Sequence, residues 1–144
     1  MQGFSLVFVG FGQWTLTSGQ TLTAYRDMVE DFVKNAIAYS SGQQVPIVWV
    51  SAPGMPLRDD FFIQEVLDMR TEQRIVAINE LLDRALARAA ATAPRDLLGH
   101  LDIYPDSMAL FDASPDMAHL SQPFVQAFHG QLAALVLDGL RAAP

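Results

Sequence analysis

The residues best suited to chemistry lie late in the chain, in Asp116-Met117-Ala118-His119. A carboxylate and an imidazole three residues apart can meet across one turn. The carboxylate then accepts from one ring nitrogen, fixes the tautomer and leaves the other nitrogen free to take a proton. Hydrolysis by a hydroxyl nucleophile needs that arrangement. The plain alternative is a polar loop ahead of a helix, with His119 solvated. Asp112, Asp116 and His119 could also be imagined as metal ligands, but no H-x-x-x-H or similar spacing supports a metal, and none is expected. A second group is Gly10-Phe11-Gly12-Gln13-Trp14. The Gly12 N–H or the Gln13 amide could hold an oxyanion, and Trp14 could line a binding wall. Tight turns at a strand end, and core packing of Trp14, explain the same residues without chemistry. A dinucleotide loop is rejected, because the third glycine of G-x-G-x-x-G would fall at Thr15 and no helix begins there. No cofactor is implied.

The elements that must position these groups follow from periodicity. Phe4 to Phe11 is a continuous apolar run and predicts a parallel strand covered on both faces. Leu22, Tyr25, Val29, Phe32, Val33 and Ala36 recur at helical spacing, with Gly42 as a stop. Val45 to Val50 predicts a second buried strand, with Pro46 near its start. Ser51-Ala52-Pro53-Gly54 opens a longer loop. From Thr71 a helix carries the stripe Ile75, Ile78, Leu82, Ala85 and Leu86, and Pro94 stops it. Leu97 to Tyr104 predicts a weaker third strand containing His100 and Asp102, and a loop runs from Pro105 to Leu120. Ser121 is a good N-cap for a last helix with Pro123 in its first turn. Phe124, Phe128, Leu132, Leu135 and Val136 are its buried side. His129 reads as a surface residue, and Arg70 and Arg74 as solvated ion pairs.

The order implies a three-layer α/β fold, a parallel sheet flanked by helices, in one domain over residues 1–144. In open sheets of this kind, sites lie beyond the carboxyl ends of the strands. The Gly12 turn, the Ser51 loop and the Asp116–His119 loop would meet there. Three strands are few, and a small parallel sheet has exposed edges. The expectation is that leading strands are missing from the front.

Composition sets limits. The chain has 144 residues, 51% hydrophobic and 17% charged, with net charge -7. That is too apolar for disorder. The acidic balance, without a basic cluster, argues against nucleic acid. No apolar run is long enough for a membrane span. The absence of cysteine removes a thiol nucleophile and thiolate metal sites, and leaves the compartment open.

Asp116-Met117-Ala118-His119-Leu120-Ser121, followed by an amphipathic helix, resembles the last conserved block of SGNH (GDSL-like) hydrolases. Val7 to Trp14 resembles their Gly-x-Asn block, with Trp14 in place of Asn. That substitution is similar to the PC-esterase branch of carbohydrate O-acyl esterases and acetyltransferases. The middle, with Ser51-Ala52-Pro53, Arg70, Ile75 and Asn79, fits in element order. The resemblance implies a flavodoxin-like strand order and an esterase with a glycan or small-molecule ester as substrate. It also implies His119 as general base, Asp116 as its orienter, and Gly12, Gln13 and Trp14 around the oxyanion and substrate. The family's Gly-Asp-Ser nucleophile block is absent, and neither Ser5 nor Ser18 has its context. Weak or no activity from this chain alone is therefore expected. The other reading is a noncatalytic α/β module that binds a glycan or a protein, and its exposed sheet edge could associate with another copy.

Overall fold

Ile47-Val48-Trp49-Val50 combines β-branched and aromatic residues, and all four are buried. Burial on both faces is the mark of a central strand in a parallel sheet. The computed structural model describes residues 6–10, 16, 20–43, 45–54, 62–63, 66–67, 71–92, 97–109 and 122–142. In chain order the elements are β1 (Val7–Gly10), α1 (Leu22–Gln43), β2 (Ile47–Val50), β3 (Phe62–Ile63) and β4 (Val66–Leu67). Then come α2 (Glu72–Thr92), β5 (Leu97–Leu101), α3 (Tyr104–Ala109) and α4 (Gln122–Ala142). β2 pairs in parallel with β1 on one side and β5 on the other, so the main sheet runs β1-β2-β5.

The two crossover helices cover one face. Ile47 and Trp49 join Tyr25, Val29, Val33 and Ile37 of α1 and Ile75, Ile78, Leu82, Ala85 and Leu86 of α2 in the main core. On the opposite face, among the described residues, Val50 clusters with Ile103 and with Phe124 of α4, and Leu101 and Phe128 pack around them. The predicted α2 stripe is buried residue for residue. Caps explain the helix ends. The Thr21 hydroxyl accepts from the Ala24 N–H at 3.1 Å and starts α1. The Val45 N–H returns to the Ser40 carbonyl at 3.2 Å and closes α1 one residue past Gly42.

The structure departs from the sequence reading at four places. β1 is an edge strand, not one covered on both faces: Val7 is 39% and Phe8 46% exposed. A continuous apolar run fits a buried strand and an uncovered edge equally well. In α1, Leu22 and Phe32 belong to the exposed surface, while Ile37 and Ser40 complete the buried face. The third strand stops at Leu101, and the expected loop opens with α3. The Asp102 Oδ1 accepts the Tyr104 N–H at 3.1 Å and turns the chain into helix. Finally, the loop after β2 contains a short antiparallel pair, Phe62↔Leu67 and Ile63↔Val66.

Candidate functional site at the carboxyl rim of the sheet

At the carboxyl end of β2 the chain leaves the sheet through Ser51-Ala52-Pro53-Gly54, and Ser51, Ala52 and Gly54 are buried. A buried loop must find partners for its backbone polar groups. Three elements supply them. The Ser51 N–H donates to the Leu101 carbonyl at 3.1 Å, extending the β2–β5 ladder by one bond. The Ser51 hydroxyl donates to the Asp102 Oδ1 at 2.8 Å and accepts from the Ile103 N–H at 2.8 Å. From α2, the Asn79 Oδ1 accepts the Ala52 N–H at 2.8 Å, and its Nδ2 donates to the Ala52 carbonyl at 2.9 Å. From α3, the Ser107 Oγ accepts the Gly54 N–H at 2.7 Å while donating to the Tyr104 carbonyl at 2.8 Å. Gly54 is required by space: a methyl group there would overlap Cγ and Sδ of Met108.

The outer part of the rim is held by side chains. The Tyr104 hydroxyl donates to the Glu72 Oε1 at 3.0 Å. Burial, and then the bond to the Glu72 carboxylate and its charge, push the Tyr104 phenol above its ordinary value. It therefore stays a neutral donor through the physiological range. The Gln131 amide of α4 donates to the Asp106 Oδ2 at 2.6 Å and ties the closing helix to α3.

Chemically this arrangement is a rigid floor. Ser51 lies where α/β enzymes carry reactive groups. However, it is 3% exposed and its hydroxyl is committed to two partners. It acts as a staple between two loops, not as a nucleophile. Among the described residues no group of His, Asp and Glu could hold a metal ion, and no helix is long and apolar enough to cross a membrane.

The residues singled out from the sequence, Gly12, Gln13, Trp14, Asp116 and His119, lie outside the described residues, as do Asp112 and Arg70. Their anchors are described. β1 ends at Gly10, in register with Val50. In the first turn of α4, Phe124 is buried in the cluster with Val50 and Ile103. His100 pairs through Nδ1 with the Asp83 Oδ1 of α2 at 3.3 Å. His129 is exposed beside Phe128. Arg74, expected in a solvated ion pair, instead donates to the Gln20 carbonyl at 2.6 Å.

Sequence reasoning placed Asn79 only in the element order of the family the chain resembles and assigned it no role at the rim. The signal was available: an amide between Ile78 and Leu82, bordering an otherwise apolar stripe. A polar side chain so placed must satisfy something buried.

Neither models of known protein families, nor curated proteins, nor solved structures match this chain.

Proposed function

We propose that the chain is an SGNH-type ester-hydrolase homologue whose ancestral substrates are acyl esters, in particular those of carbohydrates. In this reading His119 is the general base and Asp116 orients it. Gly12 and Gln13 supply oxyanion donors, and Trp14 lines the acceptor side. The observation that carries the proposal is the Asp116-to-Ser121 block standing directly before α4. Support comes from the rim. Phe124, just after that block, and Gly10, two residues before Gly12, both border Val50. The β1-β2-β5 order, two helices on one face and the closing helix on the other are what the later half of a flavodoxin-like sheet requires.

No Gly-Asp-Ser block is present and Ser51 is engaged, so hydrolysis of a chromogenic acetyl ester should stay at background. Turnover abolished by His119→Ala would reveal a nucleophile elsewhere in the chain and overturn that expectation. The dyad itself is tested by nitrogen NMR of the His119 ring. Asp116 should hold one tautomer, and Asp116→Ala should release it into a mixture. An unchanged tautomer ratio would remove the basis for the hydrolase reading. The second reading, a noncatalytic binding module, draws on the β1 edge, which pairs only with β2 among the described residues.

A further inference from the structure

β1 carries Val-Phe-Val-Gly, with no charge and no proline to blunt the edge. Its exposed side chains are joined by a second apolar feature. On α1, Met28, Phe32 and Tyr39 are 37%, 42% and 64% exposed. At 100° per residue they fall on one stripe, which the exposed Asn35 shares, with the half-buried Ala36 at its border. That stripe is not the side facing α2, where Glu30 meets Arg88 and Val33 and Ile37 are buried. The sheet order is β1-β2-β5, and α1 and α2 share one face. The stripe therefore overhangs the outer edge of β1.

We propose that the β1 edge and the outer flank of α1 together form the interface of a two-fold symmetric dimer of this chain. The geometry selects a second copy because both features share one axis. An edge strand pairs with its own copy antiparallel, about a dyad normal to the sheet. Phe32 lies at the middle of α1, so antiparallel packing of α1 on its copy also centres there. The Phe32 ring meets the Trp49 ring edge-on at 6.1 Å, and Trp49 is in register with Val9. Phe32 therefore stands at the height of the middle of β1. A single dyad beside Phe8 and Val9 brings strand to strand, α1 to α1 on one face, and Phe8 to Phe8 on the other.

Area and charge agree. An aromatic side chain presents about 150–250 Å². With the exposed fractions above, Val7, Phe8, Met28, Phe32 and Tyr39 offer roughly 450 Å² per copy on that scale. Across a pair that is roughly 900 Å² before the β1 backbone is added, close to the ~1,000 Å² of a specific interface. Each copy carries a net charge of -7, so an uncharged face is where two copies can approach.

Sedimentation equilibrium of the whole chain over the micromolar range should give twice 15.8 kDa. Phe8→Lys and Tyr39→Lys should each raise the dimer dissociation constant at least tenfold with unchanged circular dichroism. Both sites are exposed in the protomer, and Tyr39→Lys remains informative if the strand variant folds poorly. The chain has no cysteine. A short thiol cross-linker should therefore couple Phe8→Cys into dimers, and should not couple Ala91→Cys at the exposed far end of α2. A monomer throughout, open-ended oligomers, or a dimer insensitive to both lysines would overturn the proposal. None of these readouts involves His119, so this inference and the hydrolase reading fail separately.

Discussion

Removing the Asn79 side chain tests whether the rim is a rigid floor. Asn79 satisfies both backbone groups of Ala52, at 2.8 and 2.9 Å, and Ala52 is 3% exposed. In Asn79→Ala a buried N–H and a buried C=O lose their partners together, at roughly 1–3 kcal/mol each. Alanine's better helix propensity returns about 0.5 kcal/mol. Water entering the space left behind recovers part of the rest. The expected net loss is roughly 2–3 kcal/mol, or about 7–10 °C in Tm for a domain of this size. Asn79→Leu fills the space, keeps water out, and should cost at least as much. The assay is urea unfolding followed by circular dichroism, where the midpoint should fall with little change in slope. Hydrogen exchange at the Ala52 amide should accelerate with it. Gln126→Ala, removal of an exposed amide on α4, is the control and should stay within about 0.5 kcal/mol of the parent. If both Asn79 variants behave like that control, the bidentate clamp does not hold the loop and the account of the rim is wrong.

Gly54→Ala should destabilise by roughly 1–3 kcal/mol through its clash with Met108. Met108→Ala should relieve part of that loss in a double-mutant cycle, and strictly additive effects would contradict the contact. Alkaline stability should depend on Tyr25. Its phenol is pushed up by burial, and Tyr104 is raised in the same direction. A raised folded-state value means full stability below the ordinary tyrosine value of about 10, lost as pH climbs through and beyond it. The urea midpoint should therefore fall from about pH 10 upward, and Tyr25→Phe should flatten that fall. An equally steep decline in the variant would rule Tyr25 out as its source.

Periodic features of the fold were readable in the sequence. The α2 stripe and the four-residue β2 strand repeat one physical signal often enough to define a face. What escaped depended on single side chains acting on the backbone. α3 begins because Asp102 caps the Tyr104 N–H, and nothing in the apolar pattern of residues 97–104 announces that turn. The exposure of β1 was hidden for another reason: an apolar strand looks alike whether or not a neighbour covers it. The rim network joins Ser51, Asn79, Asp102 and Ser107, residues far apart in the chain that only the sheet order brings together. The hydrolase reading had a local signal in Asp116 to Ser121. Asn79 was named for element order alone, and its odd position beside the stripe was the signal for its role at the rim.

The order in which the two core clusters are completed along the chain bears on how the protein is made. By the time α2 and β5 have left the ribosome, every residue of the larger cluster has been synthesised and can condense around Trp49. α4 emerges afterwards and docks on that platform, where the described contacts are Phe124, Phe128 and the Gln131 bond to Asp106. A segment translated after the larger cluster thus completes the rim, so maturation of that rim trails the folding of the body beneath it.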